Sequence, residues 1–223
     1  MPFLTPVTLR GDLVELRPLE ISDHDALLAA VVDGDVWRLE YTRVPGPAAL
    51  AAEIERRLAL ATRGEMLPFT TVRLGGPGHG PERDTVIGMT TYCNVDAVNR
   101  RLEIGYTWNA VSAQRSGTNT ESKLLLLGHA FDELGCIAVE LRTDLRNVRS
   151  QVAIERLGAQ RDGILRHHAV MPDGYVRDTV VYSITAPEWP AVRDGLRARL
   201  DRAAESRAAG AVRPAAASSG TTA

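Results

Sequence analysis

Leu102-Glu103-Ile104-Gly105-Tyr106-Thr107-Trp108, followed five residues later by Gln114-Arg115-Ser116-Gly117-Thr118-Asn119 and then by the apolar run Leu124 to Leu127, decides how this chain folds. The first segment reads as a strand, the second as a loop, and the third as a helix. A strand that feeds a glycine-containing loop into a helix start offers free backbone N–H groups and the positive end of the helix dipole to an anion. Gly117 allows close backbone approach, and Arg115 adds charge. One glycine is a weak signal, and an ordinary helix start relaxed by Gly117 accounts for the same residues.

A second segment of the same kind follows. Asp144-Leu145-Arg146-Asn147-Val148-Arg149-Ser150 closes a strand (Ile137 to Thr143) and opens a helix (Val148 to Leu157) that Gly158 stops. Asn147 is suited to cap that helix, and Ser150 falls inside its first turn. Two helix starts after neighbouring strands would make a cradle for a long, phosphate-bearing ligand.

Outward from these segments, Val7 to Arg10 and Leu13 to Arg17 form a hairpin around Gly11-Asp12. Ser22 is the expected cap of a helix through Ala30. A second helix runs from Pro47 to about Gly64, with Leu50, Ile54, Leu58 and Ala61 at helical spacing. Phe69 to Leu74 and Thr85 to Cys93 are expected strands, joined by a Gly/Pro-rich loop over 75–81. That loop resembles a phosphate loop only superficially, because prolines remove its donors and no helix follows. The helix after Asn119 turns Leu124, Leu127, Phe131 and Leu134 to one side and ends at Gly135. Strands over Ala159 to Val170 and Tyr175 to Ile184 turn at Asp173-Gly174. A last helix from Pro187 carries Trp189, Val192, Leu196 and Leu200 as a stripe.

The 223 residues suffice for one domain with a real core, expected over 1–203. The segment 204–223 is rich in Ala, Arg, Ser, Gly and Thr and reads as a disordered tail. The order of elements predicts an α+β fold, an α/β sandwich around a mostly antiparallel mixed sheet of about seven strands. A formal charge of -2 argues against general nucleic-acid binding. Nearly all the basic residues are arginine, the better planar clamp for phosphate. Cys93 and Cys136 read as buried thiols of a reducing compartment, and neither a signal segment nor a bilayer-spanning run is seen, so a cytoplasmic protein without membrane partners is expected. The five histidines have no ligand spacing, so no metal is expected. One ring of His167-His168 is placed where an acceptor pocket would lie.

The loop from Gln114 resembles the pyrophosphate motif of the GNAT superfamily of acyl-CoA-dependent N-acyltransferases, Gln/Arg-x-x-Gly-x-Gly/Ala. Gln114 and Gly117 match, and Asn119 replaces the final small residue. Glu103-Ile104-Gly105-Tyr106, Asn147-Val148-Arg149-Ser150 to Gly158, and Asp173-Gly174-Tyr175-Val176-Arg177-Asp178 are similar, in that order, to the ribosomal-protein N-terminal acetyltransferase-like (Rim-type) branch. The resemblance spans Val7 to Leu200. It implies a fold whose fourth and fifth strands splay apart, and acetyl-CoA or another short acyl-CoA such as succinyl-CoA as co-substrate. The pantetheine arm would pair near Tyr106, Thr107 and Trp108, and the pyrophosphate would rest on Gln114, Arg115, Ser116, Gly117, Thr118, Asn119 and Thr120. Asn147 would hold the arm. Glu103 would be the base or hold a water that acts as one, and an exposed strand carboxylate is the alternative. Many members carry a Tyr as acid where this chain has Ile154; Ser150 matches the serine given that role in the Rim-type branch, although a hydroxyl is a poor acid. The acceptor would be an amine of a protein N-terminus, a lysine or a small molecule, and an antibiotic amine is one such case. A CoA-binding regulatory module without catalysis is the reading from another class, and a homo-oligomer stays open.

Overall fold

The computed structural model describes residues 3–76, 83–171 and 173–211. In chain order the elements are β1 (Leu9–Arg10), β2 (Val14–Pro18), α1 (His24–Val32), α2 (Leu50–Thr62), β3 (Leu67–Arg73), β4 (Thr85–Asp96), β5 (Arg101–Asn109), α3 (Thr118–Gly128), β6 (Ala138–Asp144), α4 (Val148–Glu155), β7 (Gln160–Val170), β8 (Val176–Thr185) and α5 (Trp189–Ala211). They form one eight-stranded sheet in the order β1-β2-β3-β4-β5-β6-β8-β7. Among the described residues every pairing is antiparallel except β5 with β6. The expected α+β sandwich is therefore present. The count exceeds the expected seven because the short first arm of the hairpin, Leu9–Arg10, pairs with Glu15 and Leu16 as a strand of its own.

Period-two alternation along the strands divides the core between two faces of the sheet. One face buries Phe69, Tyr92, Leu102, Ile104, Val139, Leu141, Val180 and Tyr182 against Leu126 and Leu127 of α3 and Trp189, Val192 and Leu196 of α5. The other buries Ile87, Met89 and Trp108 against Leu27, Ala30 and Val31 of α1 and Leu50 and Ile54 of α2. The stripe on α5 thus packs as its spacing implies, with Phe131 stacked on Trp189 at 5.5 Å. Alternation also puts Glu103 on the α2 face, because Glu103 pairs Cys93 and Glu140, whereas the neighbouring Leu102 and Ile104 belong to the α3 face.

Three local details differ from the sequence reading. Ser22 lies inside a 3-10 turn (Ile21–Asp23), and α1 starts at His24. The buried residue that organises this turn is Asp23, whose carboxylate accepts from Glu20 N (3.0 Å), Thr70 Oγ1 (2.6 Å) and Arg17. Pro47 opens a 3-10 turn, not the α-helix itself, which begins at Leu50. The helix at the far end runs on to Ala211, through the first part of the segment read as a tail; 212–223 and the loop over 77–82 lie outside the described residues.

Glu121, in the first turn of α3, fastens the opening hairpin to the middle of the chain. Its buried carboxylate accepts three backbone N–H groups, from Asp12 (3.0 Å), Leu13 (2.7 Å) and Val14 (2.8 Å). Gly11 is required there, since a Cβ would stand 2.4 Å from the Glu121 carboxyl carbon.

Candidate active site

The sheet opens where its parallel pair fails. β5 and β6 pair at Arg101↔Ala138, Leu102↔Val139 and Glu103↔Glu140. Past Glu140, β6 stays paired with β8 through Asp144, while β5 stays with β4. These are the fourth and fifth strands of the expected fold when the opening hairpin counts as one, and they splay as expected.

A bulge in β5 shapes the inner side of the fork. Thr91 pairs Gly105 and Met89 pairs Trp108, so Tyr106 and Thr107 together face Thr90. Tyr106 takes the extra residue's strain with a φ of 50°. Its ring lies beneath two guanidinium groups of α2, with Arg57 Cζ 5.2 Å and Arg56 Cζ 5.5 Å from its centroid. Arg57 is buried and held by Glu53 (2.7 Å) and Thr91 Oγ1 (2.9 Å). Gly105 is constrained by closeness, because a Cβ there would stand 2.7 Å from Glu103 Oε1.

A cavity of about 810 Å³ fills the fork. Of the residues expected to hold a donor, Tyr106, Thr107, Trp108, Gln114, Arg115, Asn119, Asn147 and Ser150 line it. Ser116, Gly117, Thr118 and Thr120 do not line it; they form the end of the loop and the first turn of α3 beside it. Ser116 Oγ and Thr118 Oγ1 both donate to Ala113 O, at 2.6 and 3.2 Å, and shape the loop. Arg115 and Gly117 have φ values of 62° and 94°, so the chain turns sharply just before the helix. Asn147 Oδ1 accepts Ser150 N–H (3.0 Å) and caps α4. An Arg149–Gln114 hydrogen bond ties the two helix starts together. The first turn of α3, with its orphan N–H groups, therefore opens beside the cavity near Arg115, and this donor set fits a pyrophosphate.

At the fork itself, Glu103 is 8% exposed and not the exposed carboxylate of the alternative reading. It accepts from Asn94 Nδ2 (2.7 Å), with Arg142 Nε at 3.4 Å. Burial raises its carboxyl above the usual range, against the opposing pull of Asn94 and Arg142. Ile154 occupies the wall of the cavity where many relatives would have the Tyr acid. Leu39 and Tyr41 to Val44, with His168 of β7 and Arg177 and Thr179 of β8, also line the cavity. His168 is thus the ring of the histidine pair that reaches the pocket. Its pKa is lowered by burial and by Arg142, Arg177 and Arg43. Among the described residues no cluster of three or more His, Cys, Asp or Glu could hold a metal.

Two residues of this cavity escaped the sequence reading. Lys123, one turn beyond Asn119, donates to Thr107 Oγ1 (2.9 Å), and Arg177 keeps a buried Nε with no partner. Lys123 could have been found as the chain's one lysine, placed directly before the apolar run Leu124 to Leu127. Arg177, inside a strand rich in polar residues, gave no signal.

This sheet, forked at its parallel pair over a helix start, defines an acyltransferase of the GNAT class. Residues 14–160 match the family model "Acetyltransferase (GNAT) domain", and the chain belongs to that family. It resembles YdaF of Bacillus subtilis (strain 168), named as a candidate ribosomal N-acetyltransferase, at 33% identity over 47% of this chain and 56% of that one. That alignment therefore spans just over half of YdaF. A candidate acetyltransferase of T. thermophilus superposes with a TM-score of 0.75 at 34% identity, covering 88% of this chain and 98% of that one. Mycobacterium smegmatis RimJ, solved with CoA-disulfide, shares the fold with a TM-score of 0.70 at 23% identity, covering 87% and 95%.

Proposed function

We propose that the chain moves a short acyl group, acetyl by default, from CoA to a primary amine on a protein N-terminus, a lysine or a small molecule. The observation that carries this is the parting of β5 and β6 just past Glu103 and Glu140, which joins a helix-start anion site to a buried carboxylate through one cavity. The N-termini of α3 and α4, with Arg115 and Asn147 beside them, would hold the phosphates and arm of the donor. The free edge of β5 from Tyr106 to Trp108 would pair with that arm as an added strand. The bulge interrupts the β4 ladder at Tyr106 and Thr107, and a backbone N–H freed there would serve the thioester oxygen.

An amine attacks only when neutral. Glu103, with its carboxyl raised by burial, is suited to take the amine's proton directly or through a water. Ser150, half-buried in the cavity wall, would hydrogen-bond the sulfur or steady the arm. The mouth between residues 39–44 and the last hairpin would admit the acceptor. The name carried by YdaF, a ribosomal N-acetyltransferase, favours a protein amine over a small amine. The two free, buried cysteines suit a cytoplasmic setting, and no helix among the described residues is long and apolar enough to cross a membrane.

The test is incubation with acetyl-CoA and a panel of amines, including peptides bearing ribosomal-protein N-termini. Free thiol and acylated product should form together, in equal amounts. Tight CoA binding without turnover on any amine would instead support a binding module.

A further inference from the structure

The chain has 26 basic residues, of which 25 are arginine; Lys123 is its one lysine. That residue is 5% exposed, on the face of α3 that also carries Asn119, and it lines the cavity. Its Nζ donates to Thr107 Oγ1 (2.9 Å), which is shared with Thr90 Oγ1 (2.8 Å), at the bulge of β5. Among the described residues, no ion pair includes it. An ammonium group has three donors and needs a counter-charge or several acceptors when buried. Arginine could have filled the same space with a permanent charge. The difference lysine makes is that it can lose and regain a proton near neutrality.

We propose that Lys123 is the proton donor to the departing CoA sulfur. This rests on the acyl-transfer reading above. The amine nitrogen bonds to the thioester carbon, the carbon–sulfur bond breaks, and the sulfur leaves with the electron pair. Lys123 Nζ gives that sulfur a proton and becomes neutral, while Glu103, or a water it holds, receives the proton lost by the amine. Solvent then restores Lys123.

The placement suits the role. Glu103 reaches the fork on the α2 face of β5, and Thr107 with Lys123 on the α3 face, so the two groups flank the reacting strand from opposite sides. Burial raises the one and lowers the other, bringing Lys123 to about 7. A carboxylate and an ammonium pushed toward each other from both ends of the scale are the pattern of a base and an acid poised at neutral pH. From β4 the titratable group acting on Lys123 is Cys93, whose thiol burial holds well up and uncharged. Arg142 and Asp144 of β6 and Arg149 of α4 stand in other parts of the same cavity wall, and Glu121 on α3 itself is spent on the hairpin amides. Lys123 thereby supplies the acid absent at Ile154.

A single lysine makes the test direct. Labelling with ¹³C-lysine gives one Cε–Nζ signal, which should titrate with a midpoint near pH 7 and move when acetyl-CoA is added. Turnover should fall on the alkaline side with the same midpoint. Lys123→Met, apolar and of similar length, and Lys123→Arg, which keeps the charge but cannot release a proton, should each lower kcat about a hundredfold. Both should keep the acetyl-CoA dissociation constant within about threefold and lack the alkaline limb. A lysine that titrates above pH 10, or variants with wild-type kcat and pH profile, would overturn the assignment while leaving acyl transfer intact. Variants that lose affinity in proportion to rate would make Lys123 a binding contact only. A wild-type protein that acylates no amine would overturn this and the parent reading together.

Discussion

Glu103 and Glu140 are the last register pair of the parallel strands β5 and β6, and one guanidinium bridges them. Arg142 reaches Glu140 Oε2 at 2.7 Å and Glu103 Oε2 at 3.4 Å. The fork therefore begins at a pair of carboxylates that one arginine half-neutralises. Glu140 takes the nearer share and also bonds Arg101, which leaves Glu103 the more weakly compensated of the two. Burial, opposed only in part by Asn94 and Arg142 and aided by the neighbouring Glu140, keeps the Glu103 carboxyl raised.

The Glu103→Gln variant should show this in two ways. A base works ionised, so wild-type turnover should climb as pH rises through the raised carboxyl pKa. The variant should lose that acid limb and about tenfold or more in kcat. A group raised in the fold stabilises it most when protonated, so wild-type stability should fall as pH rises from about 4 through its folded pKa. The Gln variant lacks that loss. Thermal melts of both proteins at acid and neutral pH would check the sign: the variant should gain on wild type toward neutrality.

Glu121 gives a second, structural prediction. Removing its carboxylate leaves three amides of the hairpin turn without their partner, in a site closed by α3. Glu121→Ala should cost about 3 kcal/mol or more, which denaturant unfolding would measure. Gly11→Ala should destabilise in the same direction, because the new methyl and the carboxyl cannot share the space.

The end of the chain should matter little. Residues 204–206 continue α5 and are exposed, and the composition of 204–223 offers little apolar surface, so ending the chain after Ala203 is expected to cost little. Melting temperature, CoA affinity and light-scattering mass should all be unchanged. A clear loss in any of them would show that the segment docks.

Much of this was legible in the residues. Strand, loop and helix around Gln114 to Asn119 carry local signals: period-two alternation, a glycine before a helix, and a helical apolar stripe. The cap at Asn147 and the stop at Gly158 are likewise local. What was not legible depends on partners distant in sequence. The bulge puts Tyr106 at a positive φ, which no glycine announces, and it arises because β5 is held between β4 and the parting from β6. Lys123 is a lone cation in an apolar helix until Thr107 and the cavity stand next to it. Ser22 has the residue type of a cap, whereas Asp23 organises the turn through contacts with Arg17 and Thr70, the latter 47 residues away.

Acyl-chain preference is best tested at Arg177 rather than at the arginines near the two loops. Arg142, Arg146 and Arg149 are committed, to Glu140 and Glu103, to Asp144 and the Tyr175 ring, and to Gln114. Arg177, with its partnerless buried Nε, could meet a carboxylate of a succinyl chain or of the acceptor. Acetyl remains the expected donor. A competition between equal acetyl-CoA and succinyl-CoA, with Arg177→Met alongside, should show no succinyl preference; one that vanishes in the variant would place the carboxylate at Arg177.

The fork as the donor site is tested most directly by calorimetry of acetyl-CoA binding to wild type and Gly117→Val. Gly117 has a φ of 94°, which a β-branched residue does not adopt without strain, and it stands where the pyrophosphate would rest on the α3 start. The expected result is one site per chain in wild type and a loss of affinity of at least about a hundredfold in a variant whose circular dichroism shows it folded. Unchanged affinity in the folded variant would contradict the assignment.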